Sequence, residues 1–108
     1  MHRRPKHEWG AHLWAFIHTV TVVDFEDGKN RGFHEKAVEV LRGVQRVIPC
    51  EKCRAKYGDA LAELDALDLS ESMCLFRWSV DLHNAVNRKL GKTCLTYEEA
   101  VETWTKEL

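Results

Sequence analysis

The sequence predicts an all-α fold: a four-helix bundle with a short fifth helix packed across one end. Three observations carry this reading. Apolar residues recur every three or four positions along five segments. Strand signals are weak: residues 20–23 are the one β-branched cluster, and they end a helical pattern. Short connections with turn and cap residues separate the segments, and four amphipathic helices so joined bury their stripes in a bundle.

The first helix is expected over residues 9–22, with Trp9, Leu13, Phe16, Ile17 and Val20 on one stripe. A loop over 24–31 follows, with Asp27-Gly28 as its turn signal. The second helix runs over 32–47, with Phe33, Ala37, Val40, Leu41, Val44 and Ile48 at helical intervals. Pro49 resets the chain, and the third helix starts near Cys50, with Tyr57, Leu61 and Leu64 on its buried side. Residues 65–68 form a connection, and Ser70 can cap the fourth helix, which runs to about Leu90. Leu75, Trp78, Leu82, Val86 and Leu90 form its stripe, and Gly91 suits its C-cap. Thr96-x-x-Glu99 is a capping box opening the fifth helix, which carries Tyr97, Val101 and Trp104.

A chain of 108 residues reads as a single domain, with residues 1–7 as a flexible tail. A domain this small is often helped by a cofactor, a disulfide or a partner. A net charge of −1 excludes the basic footprint of a nucleic-acid binder. No apolar stretch approaches the ~20 residues of a membrane span, and no apolar leader opens the chain. The expectation is a protein of a reducing, cytoplasmic compartment. Four cysteines there point to redox or metal chemistry before structural disulfides.

The strongest local signal is Cys50-Glu51-Lys52-Cys53. Positions three apart share a helix face, so the two sulfurs come within bonding range. The helix start, with Lys52 and Arg54 nearby, favours a thiolate, as thiol–disulfide exchange requires. Half a zinc site is the competing reading, but Cys74 and Cys94 are single and far apart in sequence. On the fourth helix, His83, Asn84 and Asn87 share a face beside Leu82 and Val86, with Arg88, Lys89 and Lys92 following. This is either a phosphate-meeting site or a solvated polar face. Trp14 and His18 stack on the first helix, either as core or as a binding wall; Gly10 there costs about 1 kcal/mol against Ala, which close approach of another group would offset.

Together these segments resemble the Erv/ALR family of FAD-linked sulfhydryl oxidases. The carrying residues are Gly10-x-x-x-Trp14-x-x-Ile17-His18, then Pro49-Cys50-Glu51-Lys52-Cys53, then 82–92 with His83-Asn84-x-Val86-Asn87, and Trp104. The resemblance implies oxidation of protein dithiols, directly or through a thioredoxin-like shuttle, with molecular oxygen reduced to peroxide, in a homodimer that binds FAD. It implies Cys53 against the flavin, Cys50 as the outer sulfur, and a cofactor site of Gly10, Trp14, His18, His83, Asn84, Val86, Asn87, Lys89, Lys92 and Trp104. The alternative is a non-catalytic metal-binding or protein-interaction helical module.

The chain departs from the family pattern at three points. Val22-Val23-Asp24-Phe25 stands where many members carry a Tyr-Pro pair, Val80 stands where many carry a structural cysteine, and no shuttle CxxC is present. A chain this short looks like the forms encoded by large DNA viruses, which would place it in host cytoplasm or virion. Cys74 and Cys94 are not expected to pair, because a continuous fourth helix spans ~24 Å from Cys74 to Leu90, and helix five would have to fold back along almost all of it.

Overall fold

The computed structural model describes residues 6–26, 31–66 and 73–105. Among them are five α-helices and no strand: α1 (Lys6–Glu26), α2 (Arg31–Val44), α3 (Glu51–Asp65), α4 (Cys74–Leu90) and α5 (Tyr97–Thr105), with a 3₁₀ turn (Gln45–Val47) extending α2. The all-α expectation holds. Helix α1 lies against α2, α4 and α5, and α3 lies against α4 and the 3₁₀ turn. A helix touched on three sides must be apolar around much of its circumference, as α1 is.

The main core gathers Ile17, Leu41, Ile48, Tyr57, Leu64, Leu75 and Trp78 from the first four helices. A smaller cluster of Val22, Phe76, Val80 and Ala100 seats α5. Buried polar groups tie the elements in pairs, each satisfying a group that burial would otherwise penalise. The Tyr57 hydroxyl of α3 donates to the Leu41 carbonyl of α2. Trp78 Nε1 of α4 donates to the Ala60 carbonyl of α3 at 2.8 Å. His34 of α2 meets the Asp24 carboxylate of α1 at 2.8 Å. At the α1–α4 seam, His18 Nδ1 lies 3.1 Å from Ser79 Oγ, which is itself 3.2 Å from Thr21 Oγ1. His18, Thr21 and Ser79 are at most 1% exposed.

Several boundaries differ from the sequence expectation. Helix α1 starts at Lys6, inside the expected tail, and runs on to Glu26. The β-branched residues that suggested its end, Thr21 and Val22, are fully buried, so tertiary packing outweighs their weak helix propensity. Helix α4 starts at Cys74, and its N-cap is Met73 in the left-handed conformation (φ 69°), which no sequence signal marks. Ser70, the Asp27-Gly28 turn and residues 1–5 lie outside the described residues. Phe16, Val40 and Leu90, expected on buried stripes, are 47%, 45% and 58% exposed. Gly91 caps α4 with φ +70°, as expected of a glycine at that position. Because α4 is unbroken from Cys74 to Leu90, Cys74 lies at one end of it and Cys94 beyond the other.

Burial, and then the neighbouring His83, lower the His18 pKa from 6.5 to about 3. The folded protein therefore keeps this ring neutral where an unfolded chain would protonate it. Its contribution to stability is complete above pH 6.5 and is lost as pH falls from there toward 3. Between pH 7.5 and 5 the loss from this group should be about 2 kcal/mol. Urea midpoints across that range should fall more steeply for the wild type than for His18→Gln; parallel pH profiles would contradict the assignment.

Candidate active site

Pro49 and Cys50 break the chain out of the 3₁₀ turn. Cys50 has extended backbone angles (φ −116°, ψ 118°) and is the N-cap of α3. Its Sγ accepts from the Cys53 backbone N–H at 3.3 Å, and its carbonyl accepts from Arg54 N–H at 2.9 Å. A cysteine sulfur thus stands where Ser or Asp usually caps a helix, with the dipole's positive end behind it. That setting favours negative charge on the sulfur. Both cysteines are half-buried and pack against the main core, as Trp14 and Leu82 also do.

The second part is an aromatic cluster where α1, α4 and α5 meet. Trp14 and His83 stack nearly parallel, with ring centres 4.0 Å apart and planes 8° from parallel. His18 lies 5.1 Å from His83 and 4.6 Å from Trp104. His18 Nε2 and His83 Nδ1 are 2.9 Å apart. Burial, helped by the Lys92 charge, also lowers the His83 pKa. The cluster therefore presents flat, uncharged rings with a cation close by.

The third part is the turn from α4 to α5. Asn84 Nδ2 donates to Leu95 O at 2.7 Å, and its Oδ1 accepts from Leu95 N–H at 3.0 Å. Asn87 Nδ2 donates to Thr93 O at 3.4 Å, and its carbonyl accepts from Lys92 N–H at 2.8 Å. Cys94 Sγ lies 3.6 Å from Asn84 O. Thr96 and Glu99 then close the expected capping box in both directions, at 3.0 and 3.1 Å. These contacts aim α5 so that Trp104 reaches His18.

The site residues expected from sequence fall into four groups. Trp14, His18, His83 and Trp104 come together, with Lys92 acting on His83. Asn84 and Asn87 hold the α4–α5 turn. Val86 and Lys89 line an open groove of about 340 Å³ between α3 and α4, opposite Lys56, Asp59 and Glu63. Gly10 lies one turn before Trp14, and a Cβ added there would meet nothing within 4 Å. The close approach expected at Gly10 is therefore not seen among the described residues. Sequence reasoning missed Ser79 and Thr21, although Ser79 lies four residues before His83 and Thr21 three after His18, on the same helix faces. Among the described residues, no group of three His, Cys, Asp or Glu side chains is placed to hold a metal ion. No helix among them is long and apolar enough to cross a membrane.

Comparison with known proteins agrees with this geometry. Residues 11–105 match the model of the Erv1/Alr family. A mimivirus protein, "Probable FAD-linked sulfhydryl oxidase R368", is 36% identical over 94% of this chain and 71% of its own length. The FAD-linked sulfhydryl oxidase of an African swine fever virus isolate is 26% identical over 84% of this chain and 75% of its own. The rice FAD-linked sulfhydryl oxidase ERV1 is 27% identical over 94% of this chain, which spans only 51% of that longer protein. No solved structure matches. The family match takes in the aromatic cluster, the Cys50–Cys53 pair and the α4–α5 turn alike, and on it the chain belongs to the Erv1/Alr family.

Proposed function

We infer that this protein is an FAD-dependent sulfhydryl oxidase, which oxidises dithiols to disulfides and passes the electrons to oxygen. The observation that carries the reading is the capped Cys50–Cys53 pair packed on the same apolar cluster as Trp14. The sulfhydryl-oxidase names of the viral and plant relatives support it.

The residues present fit FAD. Trp14, His83 and Trp104, all partly exposed, would offer aromatic faces for a flat heterocycle, with His18 buried behind them. Lys89 and Lys92 offer charge for a diphosphate, and the open space beside Gly10 would admit the cofactor's bulk. Asn87 and Val86 would border the same site, and Asn84 would serve it by holding the α4–α5 turn. When bound, FAD supplies two-electron acceptance from the reduced pair and return of those electrons to oxygen as peroxide.

The chain's own chemistry is thiol–disulfide exchange. A substrate thiolate attacks Cys50 Sγ of the oxidised pair; the S–S bond breaks, and Cys53 leaves as a thiolate. The second substrate thiolate attacks the substrate sulfur of the mixed disulfide. The substrate then carries the new disulfide, and Cys50 leaves as a thiolate with the electron pair of the broken S–S bond. The N–H of Cys53 and the start of α3 stabilise the negative charge on Cys50 at that moment. Cys53 would face the bound cofactor, which would take up the electron pair of the reduced pair. The physiological substrate is a protein dithiol or a thioredoxin-like shuttle, and the whole chain acts as one domain.

The protein works as a homodimer. Phe16 of α1 and Val40 of α2 are half-exposed, and Val47, just beyond α2, is 75% exposed. Apolar side chains left open on two adjoining helices suit a self-complementary interface.

Three outcomes test this reading. Cys53→Ser should reduce thiol-driven oxygen uptake to background while visible flavin absorbance remains; retained turnover would rule out the route through Cys53. Gly10→Ala should raise stability by up to about 1 kcal/mol, because the added methyl meets open space in a helix interior. The same variant should bind FAD more weakly, and unchanged affinity would remove Gly10 from the cofactor site. Phe16→Glu combined with Val40→Glu should convert the dimer to monomer by light scattering; an unaltered mass would exclude the α1–α2 face.

A further inference from the structure

The polar side chains buried in the α1–α4 seam form one continuous chain of hydrogen bonds that ends in the aromatic cluster. It begins at the Phe76 carbonyl, which accepts from Ser79 Oγ at 2.7 Å. A serine hydroxyl has one proton, and a carbonyl can only accept. Of the three groups around Ser79 Oγ the Phe76 carbonyl is the nearest and can only accept; we assign the proton to it, so that the oxygen faces the His18 ring, 3.1 Å away, as an acceptor. Thr21 Oγ1 lies 3.0 Å from His18 O and 3.2 Å from Ser79 Oγ, and its one proton can serve either acceptor.

The ring protons follow in order. His18 Nδ1 must carry the proton that Ser79 accepts. His18 is neutral in this buried setting, so its Nε2 is bare. His83 Nδ1, 2.9 Å from that nitrogen, must then be the donor. A neutral ring has one N–H, which leaves His83 Nε2 bare as well. Among the described residues nothing bonds to this atom, and the one buried side-chain atom lacking a partner is His34 Nε2, not this one. His83 Nε2 therefore opens onto the surface of the cluster, in the plane of a ring stacked flat on Trp14.

We propose that Ser79 is a positioning residue: through His18 it fixes the tautomer of His83, so that His83 Nε2 can only accept a hydrogen bond, from an N–H donor on the edge of a bound heterocycle. This rests on the flavin reading for the ligand, but not for the tautomer. Stacking on Trp14 and Trp104 sets no preference for one edge of a flat ring over another. A bare nitrogen does: it rewards a donor and repels a carbonyl or ring nitrogen placed opposite. FAD has two such donors, the adenine amino group and the flavin N3–H.

The test is made on the full chain labelled with ¹⁵N-histidine, with and without FAD. Long-range ¹H–¹⁵N correlation spectra report which nitrogen of each ring holds the proton. The proposal expects His83 protonated at Nδ1 and bare at Nε2 in both samples; a proton on Nε2 overturns it. Ser79→Ala should let Nε2–H appear and weaken FAD binding about tenfold. If that variant does not fold, the wild-type spectrum still decides. Two analogues identify the donor: FAD with unsubstituted purine in place of adenine, which lacks the amino group and gains no ring N–H on that edge, and FAD methylated at flavin N3. One of them should bind at least about tenfold more weakly than FAD. Equal affinity for both overturns the hydrogen bond to ligand. A protein that binds no flavin sinks the cofactor reading instead, and the two failures are distinguishable because the tautomer is read in either case.

Discussion

The structure depends on the seam between α1 and α4, and within it on His18. This side chain is 1% exposed, yet both of its ring nitrogens are hydrogen-bonded: one to Ser79 inside the seam, the other to His83 at its edge. A buried imidazole is costly unless both nitrogens are satisfied. Meeting that demand fixes how α1 and α4 slide and rotate against each other. The aromatic cluster inherits its geometry from the same contact, since Trp14 lies one turn before His18 and His83 one turn after Ser79. A polar network of this kind specifies one arrangement where apolar packing alone would tolerate several.

The redox pair and the aromatic cluster are joined through the core. Cys50 and Cys53 rest on the cluster that also holds Trp14 and Leu82, and that cluster is drawn from all of the first four helices. Tyr57, one turn after Cys53, anchors α3 to α2, and Trp78 anchors α4 to α3. The start of α3 is therefore held from two sides. The Gln45 side chain lies across Gly58 and donates to the Arg54 carbonyl at 3.0 Å, linking the 3₁₀ turn to α3. The sulfur pair is thus carried on a rigid element, as positioning of a reacting atom requires.

Much of this was legible in the sequence because it is written in local spacing. The five helices follow from apolar periodicity, the start of α3 from Pro49-Cys50, the C-cap from Gly91, and the capping box from Thr96 and Glu99. All of these depend on residues within four positions of each other. What could not be read depends on partners far apart in the chain. Ser79 and His18 are separated by 61 positions, and nothing in either segment says that they meet. The extension of α1 beyond Val22 was hidden for the same reason, since Val22 is packed by residues of α4 and α5. Phe16 and Val40 fit the apolar period but face outward, because periodicity marks a stripe without saying how wide a partner will cover it.

The capping of α3 by a sulfur carries a consequence for energetics. An anionic sulfur accepts a backbone N–H more strongly than a sulfur in a disulfide does, and it gains more from the positive end of the helix. The fold thereby stabilises the reduced form of the Cys50–Cys53 pair over the oxidised form. A dithiol pair whose reduced form is favoured has a higher reduction potential and draws electrons more readily from incoming thiols. The oxidising strength of the pair is in this way tied to the ordinary need of a helix to have its first turn capped.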